Sequence, residues 1–250
     1  GFGGKRDRIE AAMPGAPIPA AASRSVAIVG AGIAGASLAR AFRHLGCSPR
    51  IFAGGPMASG NPAALVSPRL AAGSGAAAAL HAQAFLRAVQ CIRHDAPDAV
   101  IASGAVRLLK PSERDRAAAT IASGLFPAES LRLDDAALHM AAALVVAPGR
   151  LREAWLGSSI ARAVPAPQPD ARGWRLGGEG PFDSVVFAAG FATAALAGVP
   201  LRPIRGQVAT APIPPGHPPT SWGGYLIPTD DGLLFGATHA RGDARDDIRD

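Results

Sequence analysis

The sequence predicts an α/β fold in which a βαβ unit opens the domain and a mostly antiparallel β region is interleaved with its second half. Two observations carry this prediction. A short β-branched run is followed directly by a glycine-rich turn and a helical stretch, VAIVGAGIAGASLARAFRHLG, over residues 26–46. From Ile204 onward, short apolar runs alternate with turns. The 250 residues can bury a sizeable core as one large domain or two small ones.

The composition predicts a cytoplasmic protein with no membrane partner and no bound metal. Hydrophobic residues make up 48% of the chain, but no long apolar run predicts a membrane-spanning helix, and there is no secretory signal. Cys47 and Cys91 are far apart, form no CxxC motif and have no histidine cluster nearby. This spacing indicates neither a disulfide framework nor a zinc site.

The charge is open to two interpretations. The formal net charge is +6, and 23 of the 25 basic residues are arginine. Such a balance suits an RNA or phosphate partner. It also arises from GC-rich codon usage, which the abundance of Ala, Gly and Pro indicates. The basic residues are scattered along the sequence, so the charge alone does not separate the two.

The elements follow in order from apolar periodicity and turn residues. An Ala/Pro-rich linker is predicted over residues 9–23 and a loop over 57–75. Strands are predicted at Ser25–Gly30, Arg50–Ala53, Gly104–Lys110, Leu144–Ala147, Gly173–Leu176 and Asp183–Ala188. Helices are predicted at Ile33–Leu45, Ala76–His94, Ser112–Ala122 with a serine cap, and after Pro148-Gly149 around Trp155. Trp155, Trp174 and Trp222 are expected to be core or packing residues, although any one of them could stack a base. His44, His81, His94, His139 and His217 are expected to lie at the surface.

The turn after the first strand has the G-x-G-x-x-G spacing of a Rossmann-like dinucleotide site. Gly30 permits a tight strand-to-helix turn, Gly32 lets a pyrophosphate approach backbone N–H groups at the positive helix end, and Gly35 lets the helix lie close to the strand. A glycine-rich turn without a ligand is the alternative in a chain with 30 glycines, but the strand and helix on either side favour dinucleotide binding. The candidate residues are Gly30, Ala31, Gly32, Ile33, Ala34 and Gly35.

Two further segments favour FAD as the dinucleotide. Ala53 stands where an acidic residue usually binds the adenosine ribose, which suits a simple NAD enzyme poorly. The candidate contacts Ser59, Gly60 and Asn61 could hydrogen-bond a polar ring system. The apolar strand VVFAAG ends in Ala189 and Gly190, whose small side chains let a second backbone segment pass close to a long cofactor.

With these residues in view, the chain resembles the FAD-dependent oxidoreductase domain of the MnmC family of bifunctional tRNA-modifying enzymes, within the D-amino-acid oxidase and glycine oxidase superfamily. The resemblance covers residues 24–250 and rests on VAIVGAGIAGASLARAFRHLG, ASGNPAALVSPRL, DSVVFAAG, RPIRGQVATAP and GGYLIPTDDGLLFGATHARGD. It implies FAD as cofactor and the wobble uridine of tRNA as substrate. The implied reaction oxidises a 5-carboxymethylaminomethyl group to aminomethyl, which a second, S-adenosyl-L-methionine-dependent methyltransferase domain then methylates.

The same resemblance interprets the two ends of the sequence. Residues 1–8, GFGGKRDR, are similar to the segment that closes the methyltransferase domain of that family, so they are expected to be the tail of a preceding domain. Residues 24–250 are expected to form the oxidoreductase domain without its C-terminal part, because the sequence stops before the closing strand and flavin-contacting loop of this superfamily.

The candidates for the reaction itself are Arg205, Tyr225 and His239. The guanidinium of Arg205, in the family-like RGQ, matches a substrate carboxylate, with Arg241 as a second candidate and a structural salt bridge as the alternative. Tyr225 could anchor substrate or simply pack in a strand, and His239 could polarise the amine or lie in a solvated loop. Two other functions stay open: a free-standing oxidase of a small amine such as glycine or sarcosine, and a flavin-binding module without turnover.

Overall fold

The computed structural model describes residues 24–55, 57–70, 75–157, 160–161, 166–214, 216–245 and 247. The expected domain tail and linker, residues 1–23, lie outside them. The helices are α1 (Ile33–His44), α2 (Ala76–Asp95), α3 (Pro111–Ala122), α4 (Pro148–Leu156) and α5 (Thr193–Ala197). The strands are β1 (Val26–Val29), β2 (Arg50–Ala53), β3 (Ala64–Val66), β4 (Val100–Leu108), β5 (Leu131–Leu133), β6 (Ala137–Val146), β7 (Ile160–Ala161), β8 (Gln168–Asp170), β9 (Gly173–Leu176), β10 (Glu179–Phe182), β11 (Ser184–Phe187), β12 (Ile204–Arg205), β13 (Val208–Ala211), β14 (Thr220–Ser221), β15 (Tyr225–Thr229), β16 (Gly232–Gly236) and β17 (Ala240–Arg241).

A four-stranded parallel sheet forms the first layer, in the order β11-β1-β2-β7. All four residues of β1 are buried, as the continuous apolar run predicts for a strand covered on both faces. Helix α1 buries its small residues Gly35, Ala36 and Ala39. Gly46 follows the helix with a φ of +77°, the left-handed conformation expected just after a helix C-terminus. The predicted βαβ unit is confirmed.

The second layer is an eight-stranded mixed sheet. Its order is β13-β16-β15-β14-β4-β6-β3, with β5 also paired to β6. Strands β14 and β4 are parallel, and the other neighbours are antiparallel. Two small antiparallel sheets, β10-β9-β8 and β12-β17, complete the topology. The α/β fold with an interleaved, mostly antiparallel region is therefore confirmed.

Several predicted boundaries are wrong, for local reasons. β3 lies inside the predicted loop 57–75, because three residues that pair only with β6 carry no periodicity of their own. β6 begins at Ala137 rather than at the predicted Leu144. The first half of this strand is rich in alanine, a residue that does not favour strand over helix. Helix α3 begins at Pro111 rather than at a serine cap, and the Glu113 carboxylate accepts the Lys110 N–H at 3.1 Å.

The main core lies between α1, α2, α4 and the two larger sheets. Trp155 is buried there, whereas Trp174 and Trp222 are 43% and 44% exposed, so only Trp155 of the three tryptophans is a core residue. Among the described residues, no helix is long and apolar enough to cross a membrane.

The turn between β5 and β6 is organised by Asp134. Its Oδ1 accepts N–H groups from Ala136 at 3.0 Å and from Ala137 at 2.8 Å, and its Oδ2 lies 2.5 Å from His139 Nε2. The backbone donor of Ala136, then His139 and Ala137, lower the pKa of this carboxyl to about 2 from 3.8.

We expect Asp134→Asn to remove part of the acid sensitivity of folding. Because the folded-state pKa is depressed, the stabilisation is present above about pH 3.8 and is lost as the pH falls through about 2. The melting temperature of the variant should lie below that of the wild type at pH 6, and the gap should shrink towards pH 2. Circular-dichroism melts across this range test it, with the neighbouring Asp135→Asn as control. A gap that is the same at both ends of the range contradicts the prediction.

Candidate functional site

A cleft of about 720 Å³ opens at the carboxyl edge of the parallel sheet. Three backbone segments form its walls, each following a strand: the turn after β1, the segment after β2 and the segment after β11. None of the described lining residues carries a charge, and Ser59 has the one polar side chain among them. The lining residues are Val29, Gly30, Ala31, Gly32, Ile33, Ala34, Phe52, Gly54, Gly55, Met57, Ala58, Ser59, Ala188, Ala189, Gly190, Phe191, Ala192, Ala195 and Leu196.

Two of the three motif glycines are required by the fold itself. Gly30 has a φ of +114°, and a Cβ there would lie 2.3 Å from the Ala188 carbonyl oxygen. Its N–H donates to the Phe52 carbonyl at 2.8 Å, so the turn is fixed to the ends of both neighbouring strands. A Cβ at Gly35 would lie 1.8 Å from the Gly30 carbonyl oxygen. This contact is the close helix–strand approach that the sequence predicts for Gly35.

Gly32 differs from the other two. Its φ is −69°, which any residue can adopt, and a Cβ would meet only the Ser59 hydroxyl, at 3.4 Å. Neither backbone conformation nor protein packing therefore explains glycine at this position. The open space above Gly32 belongs to the cleft, next to the N–H groups that begin α1. A helix N-terminus left open in this way suits a phosphate group.

Ser59 helps to complete this end of the helix. Its Oγ accepts the Ile33 N–H at 2.9 Å, which satisfies one of the amides that an α-helix leaves without an intrahelical partner. A hydroxyl that accepts one hydrogen bond still has a proton to donate. Ser59 can therefore extend the donor set of the turn towards an anionic ligand.

The predicted cofactor residues divide into two groups. Eight of them line the cleft: Gly30, Ala31, Gly32, Ile33, Ala34, Ser59, Ala189 and Gly190. Gly35 packs behind the turn, and Gly60 and Asn61 are not among the lining residues. Sequence reasoning missed the apolar walls, which include Phe52, Met57 and Phe191. The position of Phe52 at the end of β2, next to the predicted nucleotide turn, could have indicated its role.

The predicted catalytic residues come from strands and loops other than those that line this cleft. Arg205, in β12, is directly opposite Ala240 of β17, so it neighbours the exposed His239. Its guanidinium donates to the Gln207 Oε1 at 2.7 Å and to the Asp247 carbonyl. Tyr225 in β15 is half-buried, and this burial raises the pKa of its phenol, which therefore stays protonated at neutral pH. None of the three lines the cleft, and their roles stay predictions.

Metal ligation has no candidate in the part of the chain that the structure describes. No group of three or more His, Cys, Asp or Glu side chains there could hold an ion.

The chain is similar in sequence to bifunctional proteins of tRNA 5-methylaminomethyl-2-thiouridine biosynthesis. It is 43% identical over 271 residues to the tRNA 5-methylaminomethyl-2-thiouridine biosynthesis bifunctional protein MnmC of Caulobacter sp. (strain K31). It is 45% identical over 273 residues to the protein of the same name from Caulobacter vibrioides. Each alignment covers 100% of this chain and 45% of the relative, so the chain spans a little under half the length of these proteins.

Solved structures show the same fold. Glycine oxidase from Geobacillus kaustophilus superimposes with a TM-score of 0.66 at 22% identity, over 91% of this chain and 74% of that chain. Iminodiacetate oxidase from Chelativorans sp. BNC1 gives a TM-score of 0.61 at 21% identity, over 86% of this chain and 72% of that chain. The family model described as DAO, FAD dependent oxidoreductase, matches residues 25–250. This match, over most of the chain, shows that the chain belongs to the DAO family of FAD-dependent oxidoreductases.

Proposed function

We propose that the cleft binds FAD, with the diphosphate over the turn between β1 and α1. The observation that carries this proposal is the open space above Gly32, which the fold does not need and a phosphate would use. The cleft volume of about 720 Å³ and its mostly apolar walls are typical of cofactor sites.

The described residues fit this cofactor in a particular way. The N–H groups of the turn and the Ser59 hydroxyl would hold the diphosphate. Ala53 ends β2 where an acidic side chain usually holds the ribose, and Gly54 and Gly55 follow it, so backbone groups and apolar contact would hold the adenosine. Ala189 and Gly190 would let the cofactor pass close to the backbone after β11. When bound, FAD supplies a hydride acceptor.

We further propose that the chain carries out the oxidation step in the maturation of a tRNA wobble uridine, in the cytoplasm. The names of the MnmC relatives and the full coverage of this chain by the alignments support this substrate. The secondary amine of a 5-carboxymethylaminomethyl group would lose hydride from the carbon next to its carboxylate. Water would then convert the imine to glyoxylate and an aminomethyl group. A methyltransferase domain, which the relatives' bifunctional name supports, would act on that product.

The protein's own residues have a limited set of tasks in this reaction. They must hold the substrate carboxylate, keep the amine unprotonated and exclude bulk water. Arg205 is proposed for the first task, because a guanidinium matches a carboxylate, and its present partners are the uncharged Gln207 side chain and a carbonyl. Tyr225, a neutral phenol, could donate a hydrogen bond to substrate. His239 is proposed to polarise the substrate amine.

The absorption spectrum of the purified chain, before and after FAD is added and removed by desalting, tests the cofactor. We expect a flavin spectrum that stays with the protein. Anaerobic addition of undermodified tRNA should then bleach the flavin, while glycine and sarcosine should not. Bleaching by the small amines alone would favour a free-standing amine oxidase. A retained flavin that no amine reduces would contradict an enzymatic role.

A further inference from the structure

An arginine outside the cleft contacts the back of the nucleotide turn. Arg152, in helix α4, donates from its Nε to the Ala31 carbonyl oxygen at 2.8 Å. Ala31 is 3% exposed, so its carbonyl depends on a protein partner. The contact joins residues that are 121 positions apart and involves a charged donor, the stronger kind of hydrogen bond.

This contact fixes the direction of the next amide along the chain. The Ala31 carbonyl and the Gly32 N–H belong to one peptide unit, which is trans, and a planar trans peptide holds these two groups pointing in opposite directions. Since the carbonyl points to Arg152 in α4, the Gly32 N–H points away from α4. Gly32 lines the cleft, and its N–H has no acceptor among the described backbone and side-chain contacts.

Because residue 32 is glycine, its backbone does not resist rotation of the Ala31–Gly32 peptide. Rotation of the Ala31–Gly32 peptide by a half-turn would move the φ of Gly32 from −69°, with ψ at −175°, into a positive-φ region that is essentially restricted to glycine. A side chain at position 32 would oppose that rotation but would also fill the space over the turn. A glycine that keeps this space open therefore needs something else to hold its peptide in place.

Helix α4 is well placed to do so, because the core holds it firmly. Arg43 of α1 donates to the carbonyls of Trp155 and Leu156 at its C-terminal end. The side chains of Trp155 and Leu156 are also buried in the main core. The donor that reaches Ala31 therefore lies on a helix fixed by α1 and by the core. The exposed Arg150 adds only a surface ion pair, with Asp230 at 2.5 Å, which contributes little to this anchoring.

We propose that Arg152 is a positioning residue for the cofactor: it locks the Ala31–Gly32 peptide so that the Gly32 N–H is aimed into the cleft, and it polarises that N–H towards an anion. This inference rests on the proposed function, in which the turn binds the diphosphate of FAD. It assigns a role to a side chain that is not among the residues lining the cleft.

The test compares three variants of the 250-residue chain. Arg152→Met removes the donor but keeps much of the aliphatic length, Arg152→Lys keeps a cationic donor, and Arg150→Met removes the same charge from the same helix without contact to the turn. Dissociation constants for FAD and for ADP, which carries the diphosphate without the flavin, are measured by fluorescence titration and calorimetry. The Gly32 amide resonance of the ligand-free, ¹⁵N-labelled chain gives a readout that needs no cofactor.

We expect Arg152→Met to weaken FAD and ADP by a similar factor, about tenfold or more, with partial recovery in Arg152→Lys and no change in Arg150→Met. In Arg152→Met the ligand-free Gly32 amide should shift or broaden, while Arg150→Met leaves it in place. Unchanged affinity, equal weakening in Arg150→Met, or weakening of FAD without ADP would each overturn the inference. If the wild type binds neither ligand, the proposed function fails, and the Gly32 resonance still decides whether Arg152 orients the peptide.

Discussion

Replacement of Gly32 by alanine is expected to abolish retention of FAD while leaving the fold intact. The φ of −69° accommodates a side chain, and the new Cβ would meet only the Ser59 hydroxyl, at 3.4 Å. The same Cβ would occupy the space through which a diphosphate reaches the turn, so hydrogen bonds to the backbone N–H groups would lengthen or break. Loss of two such bonds to a charged ligand corresponds to a dissociation constant raised about 100-fold or more.

Flavin retention after desalting and a fluorescence titration measure this effect, and a melt of the ligand-free chain shows whether the fold has changed. Gly60→Ala is the matched control, because Gly60 is next to Ser59 in the sequence, a Cβ there would have no atom within 4 Å, and the residue does not line the cleft. A Gly32→Ala chain that retains FAD like the wild type would show that the diphosphate does not lie over this turn. That result would leave the proposed site without its main support.

The parts of the fold that the sequence predicts well are those specified by local pattern. β1 is four consecutive buried residues followed by the turn, and α1 presents its small residues to the sheet, so both can be recognised within about 20 residues of sequence. Gly46 follows the helix because glycine readily adopts the left-handed conformation needed there, which is also a local property of the sequence. The same local pattern predicts the turn after β1, which forms one wall of the cleft.

The parts that escape prediction depend on distant contacts. β3 becomes a strand because β6 offers an edge to residues 64–66, about 80 positions away in the chain. Trp174 lies in a small sheet whose face stays open, and nothing in its neighbourhood in the sequence distinguishes it from the buried Trp155. The contact between Arg152 and Ala31 has no sequence signal at all, since it requires α4 to pack behind the turn.

The candidate site divides along the same line. The glycine-rich wall of the cleft is encoded in one segment. By contrast, Arg205 of β12 and Tyr225 of β15 belong to two other sheets, and His239 lies in the segment between β16 and β17. Their relation to a bound flavin depends on how these sheets lie against the cleft. A motif can therefore indicate the cofactor class but does not rank the candidate catalytic residues.

Gly35→Ala should damage the fold itself, in contrast to Gly32→Ala. A Cβ at position 35 would lie 1.8 Å from the Gly30 carbonyl oxygen, and that atom belongs to a backbone fixed by the hydrogen bond from the Gly30 N–H to β2. Helix α1 would have to move away from β1 and disturb the buried contacts of Ala36 and Ala39. We expect a loss of about 3 kcal/mol or more in the free energy of unfolding, the upper range for overpacking, because backbone rather than a flexible side chain must give way.

Chemical denaturation of the ligand-free chain measures that loss, with Gly149→Ala in helix α4 as control. A Cβ at Gly149 would have no atom within 4 Å, so alanine there should be neutral or slightly stabilising through its higher helix propensity. Equal stability of the Gly35→Ala and Gly149→Ala chains would contradict the close approach of α1 to the turn. The two substitutions therefore distinguish the roles of two glycines in one motif. Loss of stability in Gly35→Ala reports on packing, whereas loss of FAD without loss of stability in Gly32→Ala reports on the ligand.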